Sequence, residues 1–170
     1  VGFRALAVDD EPTGRGFSLR VNGEKVFCRG ACWSSADLVT LAGGRETYAP
    51  WLRQLRDAGM NMVRVGGTMT YESDAFFALC DELGLLVWQD FMFACHLYPS
   101  TPEFLAEVDA EVRDVVARIS HHACIAVWCG DNELIGALTW FPESRKDRDR
   151  YLVNYDRLNR TVEAALLSVL

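Results

Sequence analysis

An α/β fold, with parallel strands alternating with helices, is what this sequence predicts, and three observations carry it. Met62 to Val65, Leu85 to Trp88 and Ile125 to Cys129 are short apolar runs bounded by turn signals, and they read as strands. Between them lie segments whose apolar residues recur at helical spacing. The strand runs are too continuously apolar for a sheet with one wet face, so the expectation is strands covered on both faces, with helical crossovers and parallel pairing.

The elements follow in order. Phe17, Leu19 and Val21 alternate with polar residues, Asn22-Gly23 supplies the positive backbone angles of a two-residue turn, and Val26 to Cys28 returns, so the chain opens with a hairpin. Upstream, Asp9 to Gly14 reads as a turn or short linker, and Val1 to Val8 as the end of an element whose partners lie elsewhere. The first helix puts Trp51, Leu52, Leu55 and Ala58 on one face and stops at Gly59. The second has Ser73 as N-cap, Phe76, Phe77, Cys80 and Leu83 inward, and Gly84 at its end. The third keeps a 3.6-residue period through Phe104, Leu105, Val108, Val112, Val115, Val116 and Ile119, between Pro102 and His121-His122. A last helix carries Tyr151, Tyr155, Leu158, Val162, Ala165, Leu166 and Val169 on one side, and the pattern runs on to the chain's end.

Four strand-helix units result. A closed eight-unit barrel takes about 250 residues, so the expected architecture is of the (β/α)8 TIM-barrel type, truncated to about the first four strand-helix units and preceded by a short β-hairpin. The competing arrangement is an open, doubly wound sheet. No Gly-rich phosphate fingerprint follows any strand, since Gly43-Gly44 and Gly66-Gly67 lack the spacing.

Composition bounds the function. Half of the 170 residues are apolar, which excludes disorder. A formal net charge of −7 argues against nucleic acid as a partner, because phosphate binding needs clustered Lys and Arg. The run Glu143 to Arg150 mixes both signs and reads as a solvated loop. No apolar run approaches the roughly 20 residues that span a bilayer, and the start lacks the shape of a signal peptide, so no membrane partner is expected. Cysteines 28, 32, 80, 95, 124 and 129 sit mostly in apolar segments, which suits buried thiols in a reducing, cytoplasmic setting. They lack metal-ligand spacing, and no metal or cofactor is implied.

The chemistry-bearing segment is Ile125-Ala126-Val127-Trp128-Cys129-Gly130-Asp131-Asn132-Glu133, where an apolar strand runs straight into Asn-Glu. In barrels of alternating strands and helices the chemistry sits at the carboxyl ends of the strands. An acid placed there is a proton-donor candidate. Glycoside cleavage needs one carboxylic acid to protonate the leaving oxygen and a second carboxylate as nucleophile or base. Glu133 fits the first role, and Asn132 can hydrogen-bond the hydroxyl beside the reacting carbon; the plainer alternative is that Asn132-Glu133 caps the next segment. Arg64 lies inside an apolar strand, where an unpaired guanidinium is costly, so an acidic partner is expected, in a structural ion pair or as a nucleophile that Arg64 orients. Trp88-Gln89-Asp90 ends the third strand in the same way and should line the same face, with Asp90 alternatively the mate of Arg64 or a loop cap. Trp128 reads as core, whereas Trp140, placed in a loop after Glu133, is the better sugar platform. His96, His121 and His122 form no recognisable nucleophilic triad.

These segments together resemble glycoside hydrolase family 2, and within it the β-mannosidase branch. The matching pieces are Val1-Gly2-Phe3-Arg4, Val21-Asn22-Gly23, Cys28 to Trp33 with Asp37, Asn61 to Arg64, Tyr71-Glu72 and Cys80 to Gly84. They continue with Val87 to Cys95, Tyr98-Pro99 and Trp128 to Glu133; the Trp-Gln-Asp-Phe-Met-Phe-Ala-Cys block is the specific one. The resemblance implies a retaining β-glycosidase acting on a carbohydrate substrate, with residues 1–16 ending a preceding β-sandwich and 17–170 forming the N-terminal half of the barrel domain. It implies Glu133 as acid/base, Asn132 on the 2-hydroxyl, Arg64 beside the nucleophile, and Trp140, with Trp88 and Asp90, in the binding site. The nucleophile of such enzymes comes from the seventh strand, beyond Leu170, so the chain alone is expected to be inactive. Two departures stand out: Arg64-Val65-Gly66-Gly67-Thr68-Met69 replaces Arg-x-Trp-Gly-Gly-Gly, and Asp131 precedes Asn132-Glu133 where the family has asparagine. The alternatives are another family 2 activity (β-galactosidase, β-glucuronidase or exo-glucosaminidase), a non-catalytic carbohydrate-binding domain, or a stand-alone α/β ligand-binding protein. A half barrel exposes sheet edges, so self-association is also expected.

Overall fold

The computed structural model describes residues 3–10, 14, 16–41 and 43–170. The expected turn between Asp9 and Gly14 falls largely on residues 11–13, and the Val1-Gly2 match on residues 1–2, outside the described ones.

Two sheets are present. Leu6–Asp9 (β1), Ser18–Val21 (β2) and Glu24–Val26 (β3) pair antiparallel in the order β1-β2-β3, with Leu6 opposite Val21 and Leu19 opposite Val26. The hairpin forms as expected: Asn22 at φ 52° and Gly23 at φ 86° take the two left-handed positions of its turn. The segment expected to pair elsewhere finds its partner in β2, and Asn22 ties it down, its Oδ1 accepting from Ala5 N at 2.8 Å.

Gly30–Trp33 (β4), Met62–Val65 (β5), Leu86–Asp90 (β6) and Ile125–Cys129 (β7) form a parallel sheet in chain order, β4-β5-β6-β7. Helices Arg45–Asp57 (α1), Asp74–Leu83 (α2) and Pro102–Ile119 (α3) make the crossovers, and Leu134–Trp140 (α4), Pro142–Lys146 (α5) and Arg148–Val169 (α6) follow β7. The α/β class is as predicted, and the sheet is open, with β4 and β7 at its ends. One expectation needs correction: the strands are not covered evenly on both faces. In β5 and β6, Val63, Val65, Val87 and Gln89 are buried, while Arg64, Leu86 and Trp88 alternate with them and are half-buried.

The chain divides into two compact units. The first holds the described residues up to Arg64 with Glu72–Trp88 and His122–Val127; the second holds Val65–Tyr71, Gln89–His121 and Trp128–Leu170. The core of the first is aromatic, with Trp33, Tyr48, Phe76 and Phe77 in edge or tilted contacts. At its centre lies Glu72, only 2% exposed, whose carboxylate accepts from Trp33 Nε1 at 2.8 Å and Tyr48 Oη at 2.5 Å. Tyr48 takes the inward position of α1 with Ala49 and Leu52, while Trp51, expected inside, is 53% exposed. Ser73 precedes α2 as expected but does not cap it; its hydroxyl donates to Gly43 O instead. Gly84, at φ 69°, closes α2.

In the second unit α3 packs on α6. Val108, Val112, Val115, Val116 and Ile119 supply one side, and Leu158, Val162 and Ala165 the other. Thr101 caps α3, accepting from Phe104 N at 3.3 Å, with Pro102 at its first turn. The run Glu143 to Arg150 is solvated but helical, forming α5 and the start of α6, because Pro142 opens a helical turn and Ser144 Oγ is buried against Ala137 O and Phe141 O. Among the described residues no helix is long and apolar enough to cross a membrane.

Candidate active site

The candidate site is built in the second unit, where the chain leaves β5, β6 and β7. The β6-β7 ladder runs past the strand ends: Phe91 N donates to Cys129 O at 2.9 Å, Asn132 N to Phe93 O at 2.8 Å, and Cys95 N to Asn132 O at 2.9 Å. Ala94 and Asn132 thereby form a parallel bridge. The segment after β6 is pinned from outside as well. Met92 N donates to Tyr71 Oη and Ala94 N to Tyr98 Oη, each at 3.1 Å. Tyr71 in turn donates to Glu111 Oε1 at 2.7 Å, and burial, then Glu111, pushes its pKa well up, so the hydroxyl stays a donor at working pH. Phe91 stacks on Trp128, 5.5 Å between centroids and 13° between planes; Trp128, expected in the core, is half-buried.

Glu133 is exposed and sits at the N-cap position of α4 in the left-handed region, φ 61° and ψ 22°, where a non-glycine residue is held at a cost of order 1–3 kcal/mol. It makes no side-chain cap bond; Asp131 Oδ1 takes that task, accepting from Leu134 N at 3.0 Å. Asn132-Glu133 thus caps α4 by position only: Glu133 is its N-cap residue, while the cap hydrogen bond is made by the neighbouring Asp131. The Glu133 carboxylate meets Cys95, whose Sγ lies 3.6 Å from Glu133 Oε2 and 3.2 Å from Asn132 Nδ2. Cys95 is itself left-handed, at φ 52°. Sequence reasoning missed it, although it closes the most specific block of the chain, because only the bridge between the strand ends shows what it faces.

Gly67 was also missed. A Cβ there would stand 2.9 Å from Phe91 O and 3.1 Å from Phe93 O, so the turn after β5 lies flat on the segment after β6 only because residue 67 has no side chain. Gly67 N donates to Asp90 Oδ2 at 3.0 Å. Asp90 and Gln89 were expected to line the face at the carboxyl ends of the strands, Asp90 alternatively pairing with Arg64 or capping a loop; both are fully buried, with Asp90 holding the Gly66-Gly67 turn and Gln89 Nε2 donating to Asp90 O at 2.7 Å. Gly66 has open space at its Cβ position. Trp140 lies not in a loop but at the end of α4, its ring over Gly136, and is 46% exposed.

Arg64 and Trp88 belong to the first unit. The Arg64 guanidinium lies over the Trp88 ring, 5.4 Å from its centroid, a cation–π contact of about 0.5–2 kcal/mol. Trp88 is half-buried, and its buried Nε1 has no hydrogen-bond partner.

Among the described residues, one His/Cys/Asp/Glu group could hold a metal: Asp81, His122 and Cys124 of the first unit, their ligand atoms within 4.8 Å of one another. All three are already engaged. Asp81 Oδ2 meets His122 Nδ1 at 2.7 Å, Asp81 Oδ1 accepts from Cys124 N at 2.7 Å, and the Cys124 thiol, its pKa pushed up by burial, points at Phe77 O. The group is a structural clasp holding α2 to the start of β7. All six cysteines are free thiols; Cys80 and Cys124 are buried as expected, whereas Cys32 is exposed.

No protein-family model matches the chain. It is 42% identical to β-mannosidase B of Aspergillus flavus over 135 residues, covering 78% of this chain and 16% of that protein. To the β-mannosidase of Rattus norvegicus it is 39% identical over 175 residues, covering 99% of this chain and 20% of the relative. Among solved structures it is similar to the β-D-mannosidase of Dictyoglomus thermophilum, with a TM-score of 0.72 and 41% identity over 78% of this chain and 17% of that one. The chain thus spans a fifth or less of the length of these relatives. It is a homologue of one segment of the β-mannosidases of glycoside hydrolase family 2.

Proposed function

We propose that the chain is the part of a retaining β-mannosidase that supplies the acid/base, with Glu133 in that role. The observation that carries this reading is Glu133 itself: exposed, left-handed, relieved of capping by Asp131 and adjacent to Asn132 at the end of a parallel strand. Two-step hydrolysis of a terminal β-mannoside follows. Glu133 protonates the leaving oxygen as a carboxylate nucleophile attacks the anomeric carbon, then takes a proton from the water that releases the sugar. Asn132 binds the 2-hydroxyl, where hydrogen bonds strengthen as the oxocarbenium-like transition state forms. Arg64, oriented by Trp88, stands beside the nucleophile; Trp140 offers an exposed ring to the sugar or its aglycone; and Asp90 serves the site through the Gly66-Gly67 turn that it holds. The nucleophile lies outside this chain, which on its own is inactive, and no metal or cofactor takes part.

The finer architecture belongs to the same proposal. Residues 1–16 close a preceding β-sandwich, and 17–170 form the first half of a (β/α)8 barrel. The half-buried Arg64, Leu86 and Trp88, alternating with buried neighbours, support this, since in a barrel that face is covered by the remaining strands and not by helices. The free thiols fit a reducing, cytoplasmic setting.

The test is stereochemical. The complete protein is given an aryl β-mannoside, and the released sugar is followed by proton NMR before it mutarotates. β-Mannose should appear first. First appearance of the α-anomer contradicts retention; cleavage of β-galactosides or β-glucuronides in preference to the mannoside moves the assignment to another family 2 activity.

A further inference from the structure

Cys95 is absent from the roles given above, yet it is the side chain that touches both members of the Asn132-Glu133 pair. We infer that its thiol is a positioning residue for the acid/base, an inference that rests on the reading of Glu133 given above. The geometry constrains the protons. A thiol has one hydrogen to donate and a sulfur that can accept. With Sγ 3.6 Å from Glu133 Oε2, a carboxylate oxygen that can only accept, the hydrogen goes there. The sulfur is then the acceptor for Asn132 Nδ2, at 3.2 Å, which fixes which way the Asn132 amide faces: its NH2 toward the sulfur, its carbonyl away. One side chain thus sets the orientation of the hydroxyl-binding amide and engages one carboxylate oxygen of Glu133, leaving Oε1 for proton transfer.

The backbone supports the arrangement independently. Cys95 and Glu133 are two of the four non-glycine residues with positive φ among the described ones, and they face each other. The reciprocal bonds from Asn132 N to Phe93 O and from Cys95 N to Asn132 O hold the two segments in register. Left-handed residues that meet at one place, braced by the surrounding ladder, are the kind of strain that a preorganised site retains.

Proton donation matters most for poor leaving groups, so a misplaced acid should slow those substrates and spare activated ones.

The experiment uses the complete protein with Cys95→Ala, Cys95→Val, Cys95→Ser and Glu133→Ala, assayed on phenyl and 2,4-dinitrophenyl β-mannosides across pH. Expected for Cys95→Ala is a fall in kcat/KM of about 10- to 100-fold on the phenyl substrate and several-fold less on the activated one. Cys95→Ser, which keeps a donor and an acceptor, should restore most of the loss. Wild-type kcat/KM in Cys95→Ala, or an equal loss on both substrates, overturns the inference. Cys95→Val carries the same expectations should the alanine variant fail to fold. If Glu133→Ala collapses on the phenyl substrate while Cys95→Ala does not, only the role of Cys95 is lost. If Glu133→Ala keeps wild-type turnover, the reading of Glu133 falls and the inference falls with it.

Discussion

At the scale of single residues, the site depends on small substitutions whose costs differ for stated reasons. Asp131 caps α4 through Leu134 N, so Asp131→Ala should cost about 1 kcal/mol in urea denaturation. It should also lower activity, because the left-handed Glu133 loses the bond that fixes the next turn. Adjacent glycines give an internal control. Gly67→Ala would press a methyl group against Phe91 O and Phe93 O and should destabilise by roughly 1–3 kcal/mol, whereas Gly66→Ala enters open space and should change stability by about 0.5 kcal/mol or less. Equal effects at the two positions would show that the turn does not lie where it is described. Glu133, Asn132 and Arg64 could be singled out as candidates in the sequence because a polar residue in or after an apolar strand is costly without a purpose. Cys95 and Gly67 could not, since a cysteine and a glycine look ordinary until topology shows what they face.

At the scale of elements, the helices that pack by periodicity were readable and those held by local bonds were not. Helix α3, with five buried residues on one stripe, starts where Pro102 says it should. Helices α4 and α5 span seven and five residues, too short to display a period, and they exist through Asp131, Pro142 and the buried Ser144 hydroxyl. Burial on α1 was misread for a similar reason. Trp51 is the more hydrophobic side chain, but Tyr48 goes inward because its hydroxyl has Glu72 to donate to. Glu72 organises that whole cluster. Glu72→Ala would leave the buried Trp33 Nε1 and Tyr48 Oη without their acceptor and should cost about 3–5 kcal/mol, read as a lowered urea midpoint. Glu72→Gln, which keeps one oxygen, should cost distinctly less. A neutral Glu72→Ala would remove the carboxylate from its central place.

At the scale of the whole molecule, buried and half-buried residues alternate along β5 and β6, and the ends of the second sheet are open. The 170-residue chain by itself should therefore self-associate, with sedimentation velocity showing species larger than the monomer that grow with concentration. A stable monomer would favour a self-sufficient open sheet. The α/β class was legible because strand runs, helical periods and glycine stops agree, and the parallel sheet is open, with β4 and β7 at its ends. The central claim, that Glu133 is the acid/base of a retaining β-mannosidase, is tested most directly by giving the complete Glu133→Ala protein a 2,4-dinitrophenyl β-mannoside with and without azide. This substrate needs no acid to leave, so the mannosyl-enzyme forms and waits for a base. The account predicts that azide accelerates turnover and that β-mannosyl azide is the product. Unchanged turnover with mannose as the only product would contradict it.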